Sequence, residues 1–452
     1  MSLAARDVLH RLDAVNAAAA QADPSLDVPE FWYNFRPDLP DSVSDTQMQV
    51  SSRPLEIAQK VRPQALREQD KPDQEWVPIP PEVRDWLRHF GRPTPLLRAR
   101  RLERYLDTRA RIYLKREDAL PTGNFKLNTA IAQAYYAARE GRTTLVTETG
   151  AGQWGMSVAL AAKLFGLRAE VFMVRCSLEQ KPYRQHYMEM LGATVHSSPS
   201  SETNIGRQLL RQNPDHPGTL GTAISDAISH ALTLIDRGEP AAYLSGSGTP
   251  HVFLHQSVIG LETRAQLAAL GEAFGEAGRG DHLIACAGGG SNLMGLIGPQ
   301  LRAKTLGADV NFLAAESDAA ARLTRGRYEF GQSDVAGYTP QVLGYTLGRD
   351  YVPAPVYAAG LRNHHSSAMV SLLRHKGILD AAAITDRAAH EAGRLVLQTE
   401  GFLLAPESSH AVAAALDVVS AADAAGTTPV VVALASGAGF LDLQGYHEVL
   451  AV

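Results

Sequence analysis

Residues 143–162 read TTLVTETGAGQWGMSVALAA, and their order decides the fold. A short β-rich run meets a glycine loop, and QWGMSVALAAKLFG then continues with helical spacing. Downstream, AEVFMVR (169–175) reads as a strand, EQKPYRQHYMEMLG (179–192) as helical and ATVHSS (193–198) as a strand. Strands alternating with helices imply parallel pairing through crossover connections. A second series follows, with HQSVIGLETRAQLAAL (255–270) helical, DHLIACAGGGS (281–291) a strand and loop, NLMGLIGPQLRAK (292–304) helical and NFLAAES (311–317) a strand. PESSHAVAAALDVVSAADAA (406–425) is a helix, and PVVVALASG (429–437) is a strand running into glycine. The expected fold is α/β, with two parallel-sheet lobes and a cleft between them.

The expected division is an N-terminal arm over 1–95, a smaller lobe over 96–245 and a larger lobe over 246–452. The arm is rich in Pro, Asp, Gln and Arg, and FWYNFRPDLPDS (31–42) and EWVPIPPEVRDWLRHF (75–90) set aromatics beside prolines. It reads as an extended segment that packs its aromatics on the body, with partner binding as the alternative. Residues 317–365 interrupt the second series with Gly, Tyr, Pro and Arg, the composition of a lid or binding loop.

Composition bounds the function. The chain has 452 residues, 43 basic and 48 acidic, for a net charge of −5, and 45% are hydrophobic. That is enough to build a large core and excludes whole-chain disorder. No basic tract points to nucleic acid. No run approaches about 18 apolar residues, so no membrane span is expected. The two cysteines, Cys176 and Cys286, make no disulfide framework, which fits a reducing compartment. The stretch 1–27 has no signal-peptide core, so a cytoplasmic location is expected.

Four segments could carry chemistry. In KREDALPTGNFKLNTAIAQAYYAAREG (115–141), Leu127, Ala130, Ile131, Ala134, Tyr135 and Ala138 mark a helix face. Lys126 then sits at the first turn, where a cation opposes the helix dipole. The placement suits an amine that is neutral, bound as a Schiff base or paired with phosphate; otherwise it is an exposed lysine. Gly150, Gly152 and Gly155 spell G-x-G-x-x-G between strand and helix. A dinucleotide site is one reading, with Glu170 as its acid, although Glu170 opens its strand rather than closing it. A carboxylate-gripping loop beside the acid Glu148 is a second, and plain strand–helix packing a third. Gly288, Gly289, Gly290, Ser291 and Asn292 lie between a buried strand and a helix and suit a phosphate dianion. Ser436 ends an apolar strand, where its hydroxyl could meet a ring nitrogen or cap a helix. The pairs His251/His255 and His364/His365 lack an accompanying acid in a recognised ligand pattern, so no metal site is expected.

A Schiff-base lysine, a carboxylate loop, a phosphate cup and a terminal serine, in that order, resemble the fold-type II pyridoxal-phosphate enzymes. More narrowly the chain is similar to the tryptophan synthase β chain-like family, in its stand-alone branch. The likeness rests on RPTPLLRARRLE, PTGNFKLNTA, ETGAGQWG, VFMVRCSLEQKPYR, HQSVIGLE, GGGSN, TLGRDYVPAPVYAAGLR and PESSHA, and covers roughly residues 75–450. It implies pyridoxal 5'-phosphate attached to Lys126. It further implies cofactor contacts from Asn128, Cys286, Gly288 through Asn292, Glu407 and Ser436. The substrate carboxylate would lie on Thr149, Gly150, Ala151, Gly152 and Gln153, and Glu148 would be the acid–base group. The implied reaction is β-replacement on serine or a serine-like amino acid, with indole as the default nucleophile. The implied assembly is a homodimer without tight coupling to an α subunit. Phe125 stands where such β chains typically carry histidine, a feature similar to the serine and threonine dehydratases. Deamination is therefore the first alternative, and a nicotinamide-dependent oxidoreductase is the alternative of another class.

Overall fold

The computed structural model describes residues 26–39, 48–49, 51–71, 74–348 and 351–451. Most of the 1–27 stretch, and residues 40–42, 349 and 350 of the quoted motifs, lie outside them. Two parallel sheets organise these residues. The smaller has four strands in the order Thr194–Ser198, Arg168–Val174, Thr144–Thr149, Ala241–Leu244, all parallel. The larger has six, in the order Leu379–Ile384, Val310–Ser317, Asp281–Cys286, Val430–Ala435, Arg111–Arg116, Leu96–Arg98, with only the last antiparallel. Strands such as Val430–Ala435 and Thr144–Thr149 are buried along their whole length, as expected when helices cover both faces.

The helix Leu127–Arg139 joins the lobes. Leu127 and Ile131 enter the core of the larger lobe, while Ala130, Ala134 and Ala137 enter that of the smaller. Alanines on the second face allow close approach to the helix Gln153–Leu164. A residue at the start of this helix therefore lies between the two lobes.

A buried ionic network fixes that start. Arg92 donates to Glu262 at 2.9 Å, to Glu117 at 2.8 Å and to Asn128 at 2.8 Å, and Lys115 Nζ donates to Glu262 at 2.8 Å. Asn128 donates to Gln256 at 3.0 Å, and Gln256 donates to the carbonyl of Phe125 at 3.2 Å. Removing one partner leaves a buried charge uncompensated. Glu262→Ala is expected to destabilise the protein by about 3–5 kcal/mol, read from the denaturant midpoint.

Three features differ from the sequence reading. The strands at 96–98 and 111–116 belong to the six-stranded sheet, so a lobe boundary at 96 departs from the sheet topology. The segment 317–365 is not simply irregular: Arg327–Gln332 and Gln341–Thr346 form an antiparallel hairpin, extended by Met48–Gln49. The N-terminal arm carries the helices Ser52–Val61, Gln64–Glu68 and Pro81–His89 besides extended chain. Part of its aromatic set packs on the body: Trp32 is buried against His255, with ring centroids 4.4 Å apart, and Phe35 is buried against Gly298, whereas Phe31 and Trp76 are exposed.

Candidate active site

The cleft lies at the carboxyl ends of the strands, the usual place for a ligand in open α/β sheets. A cavity of about 310 Å³ is lined by Lys126, Glu148, Thr149, Gly150, Ala151, Gln153 and Gly289. Residues from both lobes thus meet there. The strand Thr144–Thr149 ends in the loop 150–152, and Gly152 takes φ +94° before the helix Gln153–Leu164 begins. A Cβ on Gly152 would approach the Arg184 side chain at 2.9 Å, so glycine suits this turn both sterically and conformationally. Arg184 donates to the carbonyl of Ala151 at 2.6 Å and pairs with Asp442 at 2.7 Å, which fastens the loop to the C-terminal segment.

The second glycine loop follows the strand Asp281–Cys286. Gly290 has φ +90° and opens the helix Ser291–Ile297. A Cβ on Gly288 would collide with the carbonyl of Gly360, and one on Gly289 with the Ser247 hydroxyl. The contact with Ser247 identifies a loop missed in the sequence reading. Gly246 and Ser247 follow the strand Ala241–Leu244 and also line the cavity. Glycine and serine immediately after the apolar run AAYL were the available signal.

Behind this lining lies a buried polar layer. Ser436 Oγ is 2.8 Å from Ser408 Oγ and 3.5 Å from Cys286 Sγ. Asn292 Nδ2 donates to Cys286 Sγ at 3.0 Å. Glu407 Oε1 accepts from the Gly360 backbone N–H at 2.8 Å, whereas its Oε2 is buried without a hydrogen-bond partner. Cys286, Glu407 and Glu148 all act electrostatically on Lys126.

Asn128 does not join this group. Its amide is occupied by Arg92, Glu117 and Gln256, away from the cavity. The reason is helical geometry: residues two apart point about 200° from each other, so Asn128 faces away when Lys126 faces the cleft. The histidine pairs are hydrogen-bonded within the fold, although His364 also lines the cavity. His251 bonds Asp70 at 2.8 Å, His255 bonds Thr129 and Gln69, and His364 and His365 bond backbone carbonyls.

Burial moves two titrations toward neutrality. Desolvation lowers Lys126 to about 8, against the attraction of Cys286, Glu407 and Glu148. Desolvation raises Glu148 to about 7, opposed by a hydrogen bond from Tyr243. Glu148 Oε2 is buried and has no hydrogen-bond partner. An amine and a carboxylate tuned in this way can exchange protons near neutral pH.

The donor set fits pyridoxal phosphate. It combines a desolvated lysine, a glycine cradle at a helix start and a partnerless carboxylate oxygen, that of Glu148, inside the cleft. Because the neutral amine is the reactive form, capture of added pyridoxal phosphate by the cofactor-free protein should accelerate as pH rises and level off above about 8. Stopped-flow absorbance across pH would record this. Continued acceleration beyond about pH 10 would instead describe an ordinary exposed lysine.

Residues 87–437 match the family model described as pyridoxal-phosphate dependent enzyme. The chain is 44% identical over 425 residues to a tryptophan synthase beta chain 2 of Methanothermobacter thermautotrophicus, covering 94% of this chain and 97% of that one. It is 46% identical over 424 residues to a tryptophan synthase beta chain of Pyrobaculum islandicum, covering 93% and 96%. Among solved structures it is similar to a fungal L-serine ammonia-lyase from Rhizomucor miehei, with a TM-score of 0.57, 19% identity and coverage of 79% and 97%. The serine racemase of Dictyostelium discoideum gives a TM-score of 0.54 at 18% identity, covering 79% and 96%. Likeness at these last identities speaks for the fold alone. The dinucleotide reading fails at Glu170, which lies early in its strand and bonds His196 at 2.7 Å instead of waiting at the carboxyl end for a ribose.

Proposed function

The chain belongs to the family of pyridoxal-phosphate-dependent enzymes, and from that premise we propose that it joins a nucleophile, indole by default, to the β carbon of serine or a serine-like amino acid. Bound pyridoxal phosphate supplies the electron sink that lets an amino acid lose its α proton and its β substituent. Lys126 would hold the cofactor covalently and would serve as the base for the α proton. Gly288 through Asn292, joined by Ser247, would receive the phosphate on backbone N–H groups. Thr149 through Gln153 would receive the substrate carboxylate, and Ser436, with Cys286 behind it, would face the ring nitrogen. A neutral hydroxyl there would leave that nitrogen without a proton, which would favour loss of a β substituent over racemisation.

One observation carries the choice of β-replacement. Glu148 lines the polar cavity and also a second chamber of about 260 Å³. That chamber is walled by Ile57, Val61, Ile224, Ile228, Tyr243 and Phe253. An apolar aromatic nucleophile fits such walls, and a carboxylate at the junction can take the proton that the nucleophile sheds. Among the described residues no helix is long and apolar enough to cross a membrane. A cytoplasmic homodimer that works without a tightly coupled α subunit rests on the family resemblance.

The test is to incubate the purified protein with cofactor and serine, O-phosphoserine or threonine, with and without indole, and to identify products by mass. A carbon–carbon-bonded product that depends on indole supports the proposal. Keto acid alone, whatever nucleophile is offered, would favour the deaminase reading suggested by Phe125.

A further inference from the structure

On the outer part of the smaller lobe, three potential ligands converge. Glu170 lies on the strand Arg168–Val174, His196 on the neighbouring strand Thr194–Ser198, and His230 on the covering helix Leu220–Asp236. One ligand atom of each lies within 4.8 Å of the others. His196 Nε2 is 2.7 Å from Glu170 Oε2, and His230 Nε2 is 3.8 Å from the same oxygen. The three side chains are only 17–22% exposed.

We propose that Glu170, His196 and His230 form a binding site for a borderline divalent cation, Zn²⁺ foremost. Two imidazoles and one carboxylate are a donor set that Zn²⁺ accepts, with water free to take the fourth position. Zinc–ligand bonds of about 2.0–2.1 Å put tetrahedral ligand atoms about 3.3 Å apart. The two spacings to Glu170, 2.7 and 3.8 Å, bracket that value, and all three ligand atoms lie within 4.8 Å of one another.

Two further observations point to a ligand. His230 Nε2 is buried and lacks a hydrogen-bond partner, since 3.8 Å to Glu170 is too long for one. The fully buried ring of Phe172 backs both imidazoles, stacked on His196 at 4.6 Å and tilted to His230 at 5.3 Å. A rigid apolar wall of this kind limits how far the ligands can swing.

The site would also bear on the reaction centre. Glu148 pairs with Phe172, and Phe172 with His196, in a row across one sheet face. The helix that carries His230 lines the apolar chamber with Leu220, Ile224 and Ile228. A cation would pin that helix to the sheet.

The experiment titrates Zn²⁺ into the metal-free full-length holoenzyme by calorimetry, with Co²⁺ absorbance reporting the ligand field. One equivalent per chain is expected, with an upward shift of the melting temperature. Loss of even an outer-shell partner typically weakens metal binding about 10–100-fold, so His230→Ala should weaken it by about 100-fold or more. Glu170→Gln, which keeps the shape of a partly exposed side chain, should do the same and guards against a folding defect in the first variant. Absence of stoichiometric binding in the wild type, or binding that survives both substitutions, would overturn the assignment.

Discussion

Lys126→Ala is expected to cut turnover by on the order of 10⁴-fold or more, the upper range for losing one positioned proton-transfer group. Two losses coincide in this variant. The covalent attachment disappears, so cofactor held only by the Gly288–Asn292 loop should wash out on gel filtration. The base for the α proton goes with it. The fold should survive, because the helix start is held by Arg92, Glu117, Asn128 and Gln256, whose bonds do not involve the Lys126 side chain. Absorbance of the desalted protein and a thermal melt would separate these effects. A variant that still carries a covalently bound pyridoxyl group after borohydride reduction and denaturation would move the attachment to another lysine.

Glu148→Gln should divide the reaction into two unequal halves. Binding of amino acid and departure of its β substituent depend chiefly on Lys126 and the cofactor and should persist. Joining to the nucleophile needs a carboxylate to accept a proton and should fall by about 10²–10⁴-fold. The amino acid consumed should then emerge mainly as keto acid and ammonia. In the wild type the coupling rate should rise as pH passes about 7, because the carboxylate is the competent form and burial raises its pKa to that value. The glutamine variant should lose this inflection. Unchanged coupling would make Glu148 a structural acid.

Much of this arrangement was legible in the sequence, for identifiable reasons. Strands buried on both faces leave continuous apolar runs, as in Val430–Ala435, and parallel connections leave a glycine loop before each helix. Those two signals located Lys126, Glu148 and both glycine loops. Asn128 is expected at the cofactor from family likeness, which carries no helical phase, whereas its amide is bonded within the ionic network. The hairpin 327–346 lacks a strong sequence signal because its strands are mostly half-exposed, the alternation in RYEFGQ spans only two apolar residues, and glycine interrupts both strands. The apolar chamber is assembled from the helices Ser52–Val61 and Leu220–Asp236, far apart in the chain, and the Glu170, His196 and His230 cluster is dispersed in the same way. Neither has a local pattern.

The central claim is that the β carbon is joined to a nucleophile at Glu148 rather than protonated on the way to keto acid and ammonia. Its most direct measurement is the fate of serine labelled at the β carbon, incubated with the holoenzyme at saturating indole and followed by mass spectrometry. Most of the label consumed should appear in tryptophan, and pyruvate should accumulate only when indole is withheld. Label released as pyruvate at the same rate with and without indole would contradict it.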